Sequence, residues 1–261
     1  MAVFTELSDE DRQLITAAYG FTSLLSVIGI ADGDSETTYL FRTGEGEFIV
    51  TLFENGAQPS DLERAFETME ALYRHGVPCP KPLRTVDGHA TSRAAGRLVA
   101  IVSFVPGASP TFANPAKCLS LGRVMAEIHT VLERKAKCKS TDLPIGAIHG
   151  ALVHENVFFL GEEVSGVINF RLRHEDALVS ELADALVGWA GEIDGDLNKE
   201  RARAMLQGYQ GVRGLTDAEK KALPGFIMAS TSKRFASRKE SILLPEIAVL
   251  AYRSVTPDIL G

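Results

Sequence analysis

The sequence predicts an α+β fold in two lobes, with an antiparallel sheet and one helix in the first lobe and mainly helices in the second. Short runs of β-branched and aromatic residues dominate the chain up to Val105. Beyond Pro106 and Gly107, apolar residues recur every three or four positions, which is typical of helices. We therefore expect an N-terminal lobe of residues 1–106 and a C-terminal lobe of residues 107–261.

The first predicted elements are three strands. The segments LLSVIGI, TTYLFRT and EFIVTLFE are short and rich in residues that favour strands. The last two flank Gly44-Glu45-Gly46, a glycine-containing connection typical of a hairpin. These segments predict an antiparallel sheet.

One helix is predicted after the third strand. Ser60 and Glu63 have the spacing of a capping box, and Gly76 is a suitable stop. The apolar residues at helical spacing are Leu62, Phe66, Met69 and Tyr73. The glutamates of this helix are expected on its solvated face; they are Glu63, Glu67 and Glu70.

An extended connector and a last strand complete the predicted N-terminal lobe. Three prolines in VPCPKPL restrict their neighbours to extended geometry. RLVAIVSFV follows as a nearly continuous apolar run. Its end at Pro106-Gly107 marks the predicted boundary between the lobes.

The predicted C-terminal lobe begins with a helix capped by Asn114, with Pro115 in its first turn. Its apolar positions are Cys118, Leu121, Val124, Met125 and Ile128. ERKAKCKSTD then predicts a solvated linker. A hairpin of residues 157–160 and 164–170 is expected next. The last predicted helices are residues 178–193, residues 199–210, and one opened by a Thr216–Glu219 capping box and ended or bent by Pro224.

Composition limits the possible partners and compartment. The net charge of −7 argues against a nucleic-acid partner. No run approaches the length of a membrane span and no signal peptide is evident, so we expect a cytoplasmic protein without a membrane partner. Three cysteines fit no zinc or disulfide spacing and are expected to be packed side chains; they are Cys79, Cys118 and Cys138.

A motif in the C-terminal lobe has the frame of a kinase catalytic loop without its carboxylates. Protein kinases carry H-R-D-x-x-x-x-N and then D-F-G, because phosphoryl transfer needs a base and oxygen ligands for magnesium. Here His149 and Asn156 stand at the ends of the first motif with Ala151 between them. Asn169 then precedes Phe170 where an aspartate would stand.

The stretch IHGALVHENVFFLGEEVSGVINF resembles the homoserine kinases of the aminoglycoside phosphotransferase and choline kinase superfamily. GYQGVR and the N-terminal segments GIADGDSETTYLF and FIVTLFE are also similar to that family, so the resemblance covers most of the chain. It implies a protein kinase-like fold and ATP or another nucleotide as cofactor. Between His129 and Leu143 the family has a longer helical insertion, which puts a homoserine pocket in question.

The resemblance assigns roles to individual residues. His149 matches the catalytic-loop histidine and Ala151 occupies the position of the catalytic base. Asn156 matches the metal-binding asparagine, and Asn169 replaces the metal-binding aspartate. Alanine accepts no proton and asparagine is neutral, so we expect lost base catalysis and weak or lost Mg²⁺ binding.

The nucleotide side is predicted from three residues of the N-terminal lobe. Gly29 and Gly33 would allow the backbone to approach phosphates closely, although a plain β-turn fits equally well. Thr51 lies near the place of the phosphate-binding lysine. One helix glutamate would pair with that lysine in a kinase.

Two functions follow from these observations. The leading hypothesis is a pseudokinase related to homoserine kinase, which acts by binding a nucleotide, a small molecule or a protein partner. The alternative is an active ATP-dependent phosphotransferase with a hydroxyl acceptor and an unorthodox base. His154 and Glu155 are the nearest substitutes for that base, although we expect both on the outside of the loop. The sequence leaves the partner and the oligomeric state open.

Overall fold

The computed structural model describes residues 5–30, 36–134, 142–170, 174–192 and 196–236. It divides the chain into two compact units, Met1–Val105 and Pro106–Gly261. In the described ranges, no helix combines the length and the apolar character that crossing a membrane requires.

The first unit is built on an antiparallel sheet of six strands. Its elements are α1 (Asp9–Tyr19), β1 (Leu24–Ile30), β2 (Thr37–Thr43), β3 (Gly46–Phe53), α2 (Pro59–Arg74), β4 (Pro82–Leu83), β5 (Ser92–Ala94) and β6 (Arg97–Ser103). The strand order is β1-β2-β3-β6-β4, and β5 also pairs with β6. The predicted strands and the antiparallel sheet are confirmed.

The predicted hairpin between β2 and β3 is confirmed at the level of register. Thr43 pairs with Gly46 across a two-residue connection, and Phe41 pairs with Phe48. Both phenylalanines are buried, together with Val50 and Leu52 of β3. Alternate residues of β3 thus supply one side of the hydrophobic core.

Helix α1 was not predicted, although its signals are present in the sequence. Ser8 and Asp11 form a capping box, and Gly20 ends the helix in the left-handed conformation. The Tyr19 hydroxyl donates to the carbonyl of Val99 at 3.1 Å, which attaches the helix to the sheet.

The predicted start of α2 is wrong. The helix begins at Pro59 after Gln58, so Ser60 lies inside the first turn and forms no capping box. Leu72 is buried in this helix, whereas the predicted core residue Tyr73 is 48% exposed. Proline at the first helical position sets the start of the helix instead of the serine.

The expectation that the α2 glutamates only face solvent is wrong for Glu63 and Glu70, whereas Glu67 is exposed as expected. Arg84 forms ion pairs with both Glu63 and Glu70. Glu63 additionally accepts a hydrogen bond from the backbone of Ala90 at 3.2 Å. These two carboxylates therefore attach α2 to the segment around β4.

The second unit is mainly helical. Its elements are α3 (Pro115–Leu132), β7 (Ile145–Ile148), a short 3₁₀ helix (His154–Asn156), β8 (Val157–Leu160), β9 (Glu163–Val167), β10 (His174–Ala177), α4 (Leu178–Ala190), α5 (Lys199–Gln210) and α6 (Asp217–Ala236). Strands β8 and β9 form one antiparallel pair, and β7 and β10 form another. The α+β class is confirmed, with β7 and β10 as unpredicted strands.

The helix signals of the second unit are largely confirmed. Asn114 caps α3 by accepting from the backbone of Lys117, and the Thr216–Glu219 capping box opens α6.

Pro224 does not end α6, which continues to Ala236. The second hairpin strand stops at Val167 instead of residue 170. The predicted linker lies mostly outside the described residues.

Helices α3 and α5 cross at two glycines. A Cβ atom on Gly122 would lie 2.1 Å from the carbonyl oxygen of Met205, and one on Gly208 would lie 2.0 Å from that of Leu119. Any larger residue would push the two backbones apart, so glycine at both positions sets the close approach of the helices.

The described cysteines are packed side chains, as expected. Cys79 and Cys118 are free thiols and both are buried. Burial raises the pKa of Cys79 to about 12 and the pKa of Cys118 to about 11. Cys138 lies outside the described residues.

Candidate functional site

His149 fixes the start of the candidate loop through two backbone contacts. Its ring is 1% exposed. Nδ1 accepts a hydrogen bond from the backbone N–H of Ala151 at 3.2 Å, so Nε2 carries the proton and donates to the carbonyl of Ile168 at 2.8 Å. The ring edge also packs against Phe170. His149 therefore connects the loop to the segment that carries Asn169.

Burial lowers the pKa of His149 below its ordinary value, although nearby Glu181 and the bond to Ile168 act in the opposite direction. The imidazole is therefore neutral near pH 7. A neutral ring is what the two hydrogen bonds require, since one nitrogen accepts and the other donates.

Asn156 closes the other end of the loop. Its side-chain Nδ2 donates to the carbonyl of Ala151 at 2.9 Å. Its backbone carbonyl accepts from the N–H of Ile168 at 2.9 Å. These two contacts hold the end of the loop without the carboxylates that the motif lacks.

Asn169 brings a second amide next to Asn156. Its backbone has φ of 72°, a left-handed conformation that asparagine tolerates better than most residues. The Nδ2 of Asn169 lies 3.4 Å from the Oδ1 of Asn156, which is a long hydrogen bond. The predicted metal residues therefore lie together.

This pair of amides does not fit a magnesium centre. Mg²⁺ prefers charged, hard oxygen ligands, and both side chains here are neutral. The oxygen of Asn156 also already faces the amide nitrogen of Asn169. In the described ranges, no group of three or more His, Cys, Asp or Glu side chains is arranged to hold a metal ion.

Ala151 lies beside a cavity of about 490 Å³ within the second unit. The cavity is bounded by loop residues 150–155, one side of α4 and the C-terminal part of α6. Its charged lining residues are Glu155, Glu181, Asp184, Lys233 and Arg234. The methyl group of Ala151 gives this cavity no proton acceptor at the position of the catalytic base.

Glu181 supports the loop from α4. Its Oε1 accepts from the backbone N–H of Gly150 at 2.5 Å, and its Oε2 accepts from Nε2 of His129 at 2.9 Å. The side chain is fully enclosed, which alone would raise its pKa. The hydrogen bonds from His129 and Gly150 outweigh burial and lower the pKa of Glu181, so it is ionised at neutral pH.

The support extends from His129 into the last helices. Nδ1 of His129 lies 2.7 Å from the hydroxyl of Tyr209, which in turn accepts from Arg213 at 3.1 Å. Arg213 also pairs with buried Glu219 at 2.9 Å. The resulting network connects the candidate loop to α5 and the start of α6.

His154 was expected on the exposed outer surface of the loop, which is wrong because its side chain is half-buried. Glu155 is exposed as expected. The ring of His154 packs on Trp189 with centroids 4.1 Å apart. Trp189 donates from its indole N–H to the carbonyl of Leu152 at 2.7 Å. Trp189 therefore supports the loop in addition to packing among the helices.

The nucleotide-side residues belong to the first unit. Gly29 lies in extended β1 opposite Tyr39, and Thr51 lies in β3 opposite Thr38 and Ala100. Gly29 does not use a left-handed conformation. Gly33 lies outside the described residues. Strand β2 lies between β1 and β3, so Gly29 and Thr51 do not pair with each other in the sheet.

Sequence reasoning missed His129 and Tyr209 as supporting residues of this site, and it did not place Glu181 next to them. His129, Glu181 and Tyr209 are far apart in the chain and become neighbours only when α3, α4 and α5 pack. The position of Asp184 could have been inferred, because it lies one helical turn after Glu181 and therefore on the same side of α4. No pattern in the sequence around Lys233 indicated that it would lie near the loop.

Comparison with known proteins identifies the family. A model of the phosphotransferase enzyme family matches residues 26–139. The homoserine kinase of Granulibacter bethesdensis is 34% identical over 90% of this chain and 87% of its own length. That of Parvibaculum lavamentivorans is 33% identical over 91% of this chain and 87% of its own length. The chain belongs to the homoserine kinase family.

Solved structures confirm the protein kinase-like fold. An aminoglycoside phosphotransferase from Alicyclobacillus acidocaldarius superposes with a TM-score of 0.71 at 10% identity, covering 95% of this chain and 96% of its own. The amicoumacin kinase hAmiN, solved with AMP-PNP, Ca²⁺ and Ami, gives 0.66 at 15% identity, covering 96% of both chains. Family and fold support a phosphotransferase, and they lend no support to the expectation that the chain is not an enzyme.

Proposed function

We propose that this chain is a nucleotide-binding member of the homoserine kinase family in which phosphoryl transfer is much slower than in its relatives. Family membership supports the general class of phosphotransferase. Ala151 is the observation that carries the reduced rate, because the loop around it keeps its hydrogen bonds but has no proton acceptor at the position of the catalytic base. The pseudokinase hypothesis rests on this residue and on Asn169.

The size of the reduction follows from the chemistry of the missing groups. A positioned general base contributes about 10²- to 10⁴-fold to a rate. The neutral Asn169 removes a charged metal ligand as well, so electrostatic stabilisation of the transferred phosphoryl group is also weaker. We therefore expect any transfer to be at least about 10²-fold slower than in a relative with both carboxylates.

A nucleotide is the ligand that the fold favours. The amicoumacin kinase hAmiN was solved with AMP-PNP, and a spectinomycin phosphotransferase was solved with ADP. We propose ATP or ADP as the ligand of this chain, with a small dependence on Mg²⁺ because the amide pair carries no charge. Gly29 and Thr51 stay the proposed contacts in the first unit.

A second function, active transfer to a small hydroxyl acceptor, is favoured by one observation. Asp184 and Glu155 line the same cavity as Ala151 and both are exposed, so a carboxylate is available near the missing base. Glu181 is less suited, because its two oxygens are already engaged by Gly150 and His129. In this case Asp184 would orient the acceptor hydroxyl.

One experiment separates the two functions. Purified protein is titrated with ATP and ADP, with and without Mg²⁺, while unfolding is followed thermally, and ADP release is measured with homoserine as acceptor. A ligand that binds only the folded state raises the unfolding midpoint. A shift without acceptor-dependent ADP release supports slow transfer. Acceptor-dependent release that is lost in Asp184→Asn but kept in Glu192→Gln, an exposed control, supports the second function.

A further inference from the structure

A chain of buried polar side chains ends at the backbone of the candidate loop. It runs from Arg213, which follows α5, through Tyr209 of α5 and His129 of α3 to Glu181 of α4. His129 and Tyr209 are 0% exposed and Glu181 is 2% exposed. Since buried polar atoms are almost always hydrogen-bonded, the position of each proton in this chain follows from its neighbours.

The chain begins at Arg213, which can only donate hydrogen bonds. Its Nη1 lies 3.1 Å from the hydroxyl oxygen of Tyr209, so this oxygen accepts. Burial is the main cause that raises the pKa of Tyr209, so the hydroxyl keeps its own proton at neutral pH. Among the described residues, the acceptor that this proton reaches is Nδ1 of His129, at 2.7 Å. Tyr209 therefore donates to His129.

The chain ends at Glu181, which is ionised and can only accept. Its Oε2 lies 2.9 Å from Nε2 of His129, so this nitrogen carries a proton. His129 is then a neutral imidazole, because its Nδ1 accepts from Tyr209. The other oxygen of Glu181 accepts from the backbone N–H of Gly150 at 2.5 Å. The hydrogen bonds between the side chains thus run in one direction, from Arg213 to Glu181.

The charges at the two ends of the chain are compensated without a proton on Nδ1 of His129. Arg213 pairs with fully buried Glu219 at 2.9 Å and with Glu133 at 3.1 Å. Glu181 lies in the first turn of α4, where the partial positive charge of the helix N-terminus stabilises a carboxylate. The neutral form of His129 is therefore compatible with the charges around it.

We infer that Tyr209 is a positioning residue for the candidate loop. By donating to Nδ1, Tyr209 keeps the proton of His129 on Nε2. That proton holds one oxygen of Glu181 and leaves the other oxygen for Gly150. Gly150 directly precedes Ala151, so the hydroxyl of Tyr209 acts through two side chains on the backbone at the position of the catalytic base. This role needs no transfer activity, so the inference stands or falls separately from the proposed function.

Removal of the Tyr209 hydroxyl should loosen the loop at Gly150. In Tyr209→Phe, Nδ1 of His129 is left buried without a donor, and a second proton on the ring would lack an acceptor. Moving the proton from Nε2 to Nδ1 would break the bond to Glu181. We therefore expect a weaker hold of Glu181 on Gly150, whose amide hydrogen should exchange about tenfold faster, as for the loss of one hydrogen bond.

The test measures two NMR signals of the full-length protein at neutral pH. Proton–nitrogen correlation spectra of the imidazoles should show a protonated Nε2 and an unprotonated Nδ1 for His129 in the wild type. Amide hydrogen exchange is followed at Gly150 and at Leu186, which is buried in α4 and reports general loosening of the second unit. In Tyr209→Phe, the rate at Gly150 should rise about tenfold relative to the rate at Leu186.

Tyr19→Phe is the matched control, because the Tyr19 hydroxyl is also buried and donates to the carbonyl of Val99 in the first unit. This variant should keep the wild-type ratio of the two exchange rates. A proton on Nδ1 of His129 in the wild type would overturn the inference, whether or not Tyr209→Phe folds. An unchanged ratio of the Gly150 and Leu186 rates in Tyr209→Phe would overturn it as well.

Discussion

Asn156 donates a hydrogen bond from its side-chain amide to the main-chain carbonyl of Ala151, 2.9 Å away. This bond spans the loop in which the residue matching a catalytic aspartate has become alanine. The family's asparagine thus has a structural role here that does not depend on a metal. This structural role explains why the asparagine of the motif is present although the carboxylates of the motif are absent.

Replacing Asn156 by alanine should destabilise the protein. The carbonyl of Ala151 loses its donor, and a partly buried group left without a partner costs about 1–3 kcal/mol. Urea unfolding should therefore show a lower free energy of unfolding for Asn156→Ala. Glu155→Ala, at the exposed neighbouring position, should stay close to the wild type. Equal stability of both variants would show that the bond to Ala151 contributes nothing.

Mild acid should destabilise the fold through His149. Because its folded pKa lies below the ordinary value near 6.5, the unfolded chain binds more protons between those two values. Stability is fully present above about pH 6.5 and falls as the pH drops through that window, by up to about 1.4 kcal/mol per pH unit for one proton.

The contribution of His149 can be isolated by comparing slopes. His149→Gln should unfold more easily at every pH, but its stability should change less between pH 6.5 and pH 5 than that of the wild type. His75→Gln, at an exposed position, should keep the wild-type slope. His154 also has a lowered pKa, so part of the slope will persist in His149→Gln. An unchanged slope in His149→Gln would contradict the assignment.

The crossing of α3 and α5 should not tolerate a methyl group. Gly122→Ala places Cβ 2.1 Å from the carbonyl oxygen of Met205, so the helices must separate, at a cost of about 1–3 kcal/mol or more. Gly225→Ala in α6 is the control, because its added Cβ meets no atom within 4 Å. That control should match or exceed the stability of the wild type, since alanine favours helices. Differential scanning calorimetry measures both changes.

Local patterns predicted most elements of this fold. The period of apolar residues and the caps at Asn114 and Thr216 marked helices whose observed starts agree with them. The errors occurred where two local signals competed, as at Pro59 and Ser60, or where a signal was present but not weighed, as at Ser8. Pro224 lies inside α6, so of the two outcomes expected at this proline, an end or a bend of the helix, the end is wrong.

Only part of the candidate site could be predicted from the sequence. His149, Ala151, Asn156 and Asn169 lie at fixed spacings in one motif, and the first three are joined by hydrogen bonds in the structure. The network behind them could not be predicted, because His129 and Glu181 are 52 positions apart and meet only through helix packing. The same holds for Lys233 and the loop, which share a cavity formed by distant segments.

The rate of phosphoryl transfer in Ala151→Asp/Asn169→Asp, compared with the wild type, tests the central claim most directly. ADP release is measured with ATP, Mg²⁺ and homoserine, and calorimetry confirms that both proteins are folded. The account predicts slow or undetectable release by the wild type and a gain of at least about 10²-fold in the double variant. A wild type that already turns over as fast as the double variant would show that Ala151 and Asn169 do not limit transfer, and would contradict the account.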